Sequence, residues 1–317
     1  MRLSVLLVSY NTQGLLDRCL GALDAARTQM EGASEVIVVD NASHDGSVAH
    51  LAAHHADVQV IVSPTNVGFG RANNLALAAA RGDYILLLNT DAFVEPDALS
   101  RTLAFMDAHP DVGVLGVRLV AADGHLQPSC RYFPTPWNEA VQRMGLQRWF
   151  PRTRLVDDMS WDHASVRDCD WVTGCFYLVR RQTIDAVGLF DPRYFLYNEE
   201  VDHCMAVRQA GWRVVYFPDT TVVHLGGESA QSLATLNQAT RQVSTIQLES
   251  SLLYHRKHGG WPGLALHLGL QTGMDLAGAV KDGLRGRGSA QVRSHLHHLS
   301  LLWATAWRTR GGRRPTR

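Results

Sequence analysis

Three kinds of residue in this sequence are placed where chemistry could occur. Asp91 closes the run Tyr84-Ile-Leu-Leu-Leu-Asn-Thr-Asp91, with Asn89 two residues before it. Asp40 closes Glu35-Val-Ile-Val-Val39 in the same way, and Tyr10 and Asn11 follow Leu3-Ser-Val-Leu-Leu-Val8. Ligands of open α/β sheets sit beyond the carboxyl ends of the strands, so polar side chains at such ends are candidate ligand contacts. The second kind is glycine. In Asn66-Val-Gly-Phe-Gly-Arg71, Gly68 and Gly70 let a backbone pass close to a partner, and a helix N-terminus beyond them can receive phosphate oxygens. The third kind is the acidic cluster Glu199-Glu-Val-Asp202, where adjacent carboxylates raise one another's pKa and so suit a proton acceptor. Acidic residues in a first helical turn also answer the helix dipole, which is the plainer account of the same cluster. His224, two residues before Gly226-Gly227, is the remaining candidate, against the plain alternative of a buried, hydrogen-bonded histidine.

The elements that must position these residues are legible from periodicity. Short apolar runs at Leu3–Val8, Glu35–Val39, Val58–Val62 and from Tyr84 read as strands, the Tyr84 run as one buried on both faces. Leu15, Leu16, Cys19, Leu20 and Leu23 recur at helical spacing between the first two, and a helix from Ser47 to His55 precedes the third. Strands alternating with helices imply right-handed crossovers and a mostly parallel sheet. An Ala-rich helix from Leu75 to Ala80 follows the glycine loop, and another lies between Pro96 and His109. Val112–Val120 reads as a strand with a hairpin turn at Asp123-Gly124. Periodicity fades from Gln127 to Asp168, and Asp170–Val179 is expected as a strand. A helix closed by Gly188, a helix from Glu199 to Gly211, and two short strands, Trp212–Phe217 and Thr221–Val223, complete the pattern.

Composition removes several function classes. The chain has 317 residues, 30 basic against 30 acidic, so no global field points to nucleic acid. The five cysteines are an odd number without CxxC spacing, which fits scattered reduced thiols in a cytoplasmic chain rather than disulfides or a zinc site. A secretory leader is not expected ahead of the first strand. The glycine loop lacks the third glycine of a dinucleotide fingerprint and follows the third strand, not the first.

The order and spacing of these motifs is what makes them specific. Val8-Ser-Tyr-Asn11, Val39-Asp-Asn-Ala-Ser43, Asn66-Val-Gly-Phe-Gly70 with Arg71 and Asn74, Leu88-Asn-Thr-Asp91, Thr173-Gly-Cys175, Glu199-Glu-Val-Asp202 and His224-Leu-Gly-Gly227 resemble, in sequence order, the family-two inverting glycosyltransferases of the GT-A fold, in their rhamnosyltransferase-like branch. The resemblance spans about residues 1–258. It implies an α/β fold with a mostly parallel central sheet flanked by helices and a C-terminal helical extension. It further implies that Tyr10, Asn11 and Asp40 hold the nucleotide base region, and that Asn66, Gly68, Arg71 and Asn89 line the nucleotide and its phosphates. Asp91 would bind Mg²⁺ or Mn²⁺ together with His224. Asn89 stands at the family's first metal-motif aspartate, so diphosphate oxygens must complete the shell. Glu200 falls at the position of the catalytic base, where the family usually has Asp, with Glu199 and Asp202 as alternatives, and Gly174 would leave room for the acceptor.

The implied reaction moves a sugar, rhamnose from dTDP-rhamnose by branch resemblance, to a hydroxyl of a cell-envelope glycan or lipid-linked acceptor. A catalytically weak nucleotide-sugar-binding or membrane scaffold protein is the rival reading, resting on Asn89 and Glu200. Residues 1–233 are expected to form the nucleotide-sugar and catalytic domain, and residues 234–317 a helical, basic extension. Trp261–Val280 is apolar but interrupted by His267, Gln271 and Asp275, better suited to an interface than to a membrane span. With Trp303, Trp307 and a run of arginines, three readings of the extension stand open: contact with the inner face of the cell membrane, an oligomer contact, or an acceptor clamp.

Overall fold

The four apolar runs at the N-terminal end of the chain pair side by side, in parallel, with their polar ends at one edge. The structure, a computed structural model, describes residues 1–226, 239–285 and 289–317. By contacts the chain divides into two compact units, one of Met1–Arg131, Asp157–Phe195 and Glu199–Ala239, the other of Tyr132–Val156, Leu196–Asn198 and Thr240–Arg317.

The first unit is built on a ten-stranded sheet. Its strands are β1 (Leu3–Ser9), β2 (Ser34–Asp40), β3 (Gln59–Val62), β4 (Tyr84–Asn89), β5 (Ala92–Val94), β6 (Val112–Val120), β7 (Leu126–Gln127), β8 (Arg167–Asp168), β9 (Phe176–Arg180) and β10 (Arg213–His224). The main path runs β3-β2-β1-β4-β9-β6-β10-β5. Strands β3, β2, β1 and β4 are parallel, β9 runs antiparallel between β4 and β6, and β10 is parallel to β6. Helices α1 (Gln13–Thr28), α2 (Ser47–His54), α3 (Phe69–Ala79), α4 (Ala98–Ala108), α6 (Arg181–Val187) and α7 (Glu199–Gln209) belong to this unit. The continuous core of Leu3, Val5, Leu7, Leu86, Leu88, Leu115 and Leu178 with Leu16, Leu20 and Leu23 of α1 is what the two-faced apolar runs require.

Four differences from the periodicity reading have physical causes. Helix α3 begins at Phe69 rather than Leu75, because its polar first turns satisfy themselves and their neighbours: Asn73 Nδ2 donates to the Phe69 carbonyl, and the Asn74 amide exchanges hydrogen bonds with the Phe190 backbone. The expected strand from Asp170 starts only at Phe176, since residues 173–175 make a corner instead. The two short strands around Pro218 are one strand, β10, which stays paired to β6 on both sides of a register shift between Phe217 and Thr221. Strand β5, three residues long, was too short for periodicity to register.

The second unit holds α5 (Pro136–Met144), α8 (Ala239–Leu284) and α9 (Ser289–Arg308). Thr135 caps α5 with a reciprocal capping box to Asn138. Helix α8 is two helices joined at a kink, where Gly260 takes φ 62° and ψ −156° and Pro262 follows. The polar residues that interrupt its apolar pattern, His267, Gln271 and Asp275, recur every four positions and so share one face. That face meets α5: His267 contacts Glu139, while Arg143 bonds both Gln271 and Asp275. Among the described residues no helix is long and apolar enough to cross a membrane.

Candidate active site

Parallel pairing in register places the polar strand ends together. Ser9 pairs with Asp40 and Val8 with Asn89, so Tyr10, Asn11, Asp40 and Asn89–Asp91 emerge along one edge of the sheet. The loops there are held by side chains acting as backbone partners. Asn11, at φ 53°, accepts from the His44 N–H and takes the Ser43 hydroxyl on its own N–H. Asp40 is buried; one oxygen accepts from the Ser43 N–H and Oδ2 has no partner among the described residues.

The glycine loop folds against the segment before α7. Gly68 has φ 86°, and a Cβ there would lie 2.2 Å from the Phe195 carbonyl oxygen, which accepts the Phe69 N–H. A Cβ on Gly70 would sit 3.6 Å from Cβ of Glu199. The close approach that both glycines signalled is therefore to this chain's own backbone and to the acidic helix. Asn66 accepts from the Gly68 N–H and from Asn41 Nδ2, while Arg71 donates through Nε to the Pro192 carbonyl.

Asp91 and His224 are joined by strand register. Strand β5 runs antiparallel to β10 with Ala92 opposite His224, and the Leu225 N–H donates to the Asp91 carbonyl. The side chains then meet, His224 Nε2 lying 3.5 Å from Asp91 Oδ1. Gln127 of β7 fixes the imidazole tautomer. Its Nε2 donates to the His224 carbonyl, which can only accept, so its Oε1 faces His224 Nδ1 at 2.8 Å and Nδ1 must carry the proton. In the neutral imidazole Nε2 then presents a lone pair to a carboxylate oxygen. Asp91 Oδ1 and the adjacent Thr90 Oγ1 are buried without a hydrogen-bond partner among the described residues. Two acceptors facing each other in a buried corner fit a cation between them, with Gln127 as the outer partner that orients the histidine.

The acidic cluster approaches the end of β4 through the corner of residues 173–175. The Asn89 N–H donates to the Cys175 carbonyl, and the backbone of neighbouring Gly174 lies near enough to the Glu200 carboxyl to lower its pKa. The corner of residues 173–175 thus spans the end of β4 and the start of α7. Glu199 and Asp202 are buried, and Asp202 accepts from the Tyr194 hydroxyl. Glu200 is half-buried, yet its Oε2 is shut off from solvent with no partner among the described residues. Burial pushes the Glu200 carboxyl above the ordinary carboxylate range, partly offset by backbone N–H groups and the Arg131 guanidinium, and burial with the Glu200 charge pushes Glu199 up as well. Arg131 is itself fixed, Nε donating to Asp157 and the guanidinium lying over the Trp171 ring. Gly174 is open on its Cα side, where a Cβ would make only ordinary contact with Phe69.

Gln127 and Arg131 were not among the candidate residues read from the sequence. Both lie in the stretch where periodicity fades, and nothing in residue type alone separates them from surface polar residues.

Two family profiles match this chain, Glycosyl transferase family 2 over residues 4–158 and Glycosyl transferase family group 2 over residues 84–307. The chain belongs to the family-two glycosyltransferases. The sequence is 28% identical over 313 residues to an N-acetylglucosaminyl-diphospho-decaprenol L-rhamnosyltransferase of Mycobacterium tuberculosis, covering 95% of this chain and 94% of that protein. It is 28% identical over 229 residues to rhamnosyltransferase WbbL of Escherichia coli K12, covering 69% of this chain and 82% of that one. The mannosyltransferase PcManGT of Pyrobaculum calidifontis, solved with GDP-Man and Mn²⁺, superposes with TM-score 0.54 at 16% identity over 97% of this chain and 86% of its own. TarS 1-349 of S. aureus does so with TM-score 0.52 at 15% identity over 98% and 92%. The glycosyltransferase has the GT-A fold, with its sheet, flanking helices and C-terminal helices.

Proposed function

We propose that this glycosyltransferase is a metal-dependent inverting rhamnosyltransferase, moving rhamnose from dTDP-rhamnose to a hydroxyl of a lipid-linked or cell-envelope glycan acceptor. The names of the Mycobacterium tuberculosis and Escherichia coli relatives support the sugar, and the first of these supports a lipid-diphosphate acceptor. The observation that carries the reading is the opposed pair of acceptors, Asp91 Oδ1 and His224 Nε2, in a buried corner at the carboxyl edge of the sheet. A divalent Mg²⁺ or Mn²⁺ held there supplies Lewis-acid stabilisation to the departing nucleoside diphosphate.

The remaining work falls to this chain's own side chains. Tyr10, Asn11 and Asp40 face the nucleotide base, the unpartnered Asp40 Oδ2 being free to accept an imide N–H. Asn66, Gly68, Arg71 and Asn89 shape the wall around the ribose and phosphates. Glu200 takes the acceptor hydroxyl's proton as the new bond forms on the face opposite the leaving group. It is favoured over Glu199, which is fully buried, and over Asp202, which is engaged by Tyr194. The Gly174 backbone lies beside the Glu200 carboxyl. A catalytic domain over residues 1–233 with a basic extension over 234–317 that touches anionic lipid at the inner membrane face completes the proposal. Screening nucleotide sugars for metal-dependent thermal stabilisation tests it: dTDP-rhamnose should raise the melting temperature most, only with Mg²⁺ or Mn²⁺, and not in Asp91→Ala. Stabilisation by another nucleotide sugar alone would replace the donor, and equal stabilisation without metal would remove the cation.

A further inference from the structure

A second cluster of potential metal ligands lies in the unit that carries the C-terminal helices. Glu139 of α5, His255 and His267 each offer one ligand atom, and the three atoms lie within 4.8 Å of one another. His255 precedes the Gly260 kink of α8 and His267 follows it, so the kink turns two histidines twelve positions apart to face each other. Their rings stack with centroids 4.1 Å apart. Both aim a ring nitrogen at the same carboxylate oxygen, His255 Nε2 at 3.1 Å and His267 Nδ1 at 3.2 Å from Glu139 Oε2. Both imidazoles are almost wholly buried, while Glu139 keeps about a quarter of its side chain in solvent.

We propose that Glu139, His255 and His267 bind a first-row transition cation of the zinc type, separate from the cation at Asp91, which pins α5 to both arms of the kinked helix. Two imidazoles and a carboxylate form a recurrent zinc donor set, and imidazole selects such ions over Mg²⁺. With metal–ligand bonds of about 2.0–2.2 Å, neighbouring donors of a tetrahedral site stand roughly 3.3–3.5 Å apart, close to both observed carboxylate–imidazole distances. The outer contacts suit the role as well. Ser251 Oγ sits 3.4 Å from His267 Nε2, the nitrogen that must carry the proton when Nδ1 ligates.

Arg143, four residues on along α5, is committed to Asp275 and Gln271. The exposed edge of Glu139 leaves a fourth position for water.

The test uses the full chain stripped of metal by chelation and titrated with Co²⁺, then Zn²⁺. One equivalent of Co²⁺ should give the intense visible absorption of a four-coordinate site, which Zn²⁺ then abolishes while raising the melting temperature. Glu139→Gln and His267→Gln should each weaken Zn²⁺ binding by more than the roughly 10–100-fold that outer contacts are worth. Asp91→Ala should leave the Co²⁺ band intact, as should Asp17→Asn, which alters the less buried cluster of Asp17 with His50 and His55. Absence of the band in the unaltered chain overturns the proposal without any variant. So does a band that survives in correctly folded Glu139→Gln and His267→Gln, or one lost with Asp91 or Asp17.

Discussion

At the scale of single residues, the site depends on which atoms are left unsatisfied. Asp91 Oδ1, Thr90 Oγ1, Asp40 Oδ2 and Glu200 Oε2 are buried acceptors or hydroxyls without hydrogen-bond partners among the described residues, and such groups are costly unless a ligand answers them. Glu200→Gln removes the proton acceptor but keeps the side chain's shape. Transfer should fall by about 10²–10⁴ while calorimetric donor affinity stays within a few-fold; equal turnover in both proteins would reassign the base. Because the Glu200 carboxyl is raised, the acid limb of the kcat/KM profile should lie above pH 4.5, activity falling as pH drops through it, and the limb belongs to the Glu199–Glu200 pair together. Gln127→Leu replaces no proposed metal ligand but removes the partner that holds His224. It frees the His224 ring to rotate and change tautomer, so metal affinity should drop by roughly 10–100-fold with donor specificity unchanged. Metal titration at fixed donor reads this directly.

At the scale of elements, α7 is anchored from behind by a buried polar chain. His203 Nε2 donates to the Gly188 carbonyl, so Nδ1 accepts from the Tyr177 hydroxyl of β9 at 2.7 Å, and Cys204 Sγ lies 3.0 Å from that same hydroxyl. Burial pushes His203 down from 6.5 to about 4. A histidine held neutral in the fold but free to charge when unfolded contributes stability that is present above pH 6.5 and withdrawn as pH falls toward 4. The withdrawal totals about 3 kcal/mol over that window for the shift from 6.5 to about 4. Urea unfolding at pH 7 and pH 4.5 should therefore lose more stability for the unaltered chain than for His203→Gln. Parallel slopes would mean that another group sets the acid sensitivity. This anchor also bears on the site, because α7 opens with Glu199 and Glu200.

At the scale of the whole molecule, the sheet and the C-terminal helices contribute different surfaces. On α8, Leu276, Val280 and Leu284 are exposed at four-residue spacing, and on α9 so are Trp303 and Trp307. The basic tail is less free than its composition suggests. Thr316 bonds Glu249, and the Arg256 and Arg313 guanidiniums lie over the Trp261 ring. An apolar stripe with aromatic residues and nearby cations suits the headgroup region of an anionic bilayer. The chain should sediment with phosphatidylglycerol vesicles and less so with neutral ones, binding should weaken with salt, and Trp303→Ser with Trp307→Ser should lower it several-fold. Equal sedimentation with neutral vesicles, or none with either, would leave this stripe to another partner.

The sequence by itself determined the N-terminal parallel strands, the order of their polar endings and the residue types at each. Buried parallel strands require continuous apolar runs, and the chain must break those runs with polar residues where they leave the sheet. It therefore disclosed Asp40, Asn89, Asp91 and the Glu199–Asp202 cluster before any coordinates. Only the tertiary structure decided the partners. Register set Ala92 opposite His224 and so brought an imidazole to Asp91, and the amide of Gln127, from a stretch without periodicity, fixed which imidazole nitrogen faces it. The kink at Gly260 brought His255 to His267, which appears in the sequence only as an interruption of an apolar pattern. Periodicity reports which face of an element is buried. It carries no record of which distant side chain that face will meet, because that choice is made by packing between elements far apart in the chain.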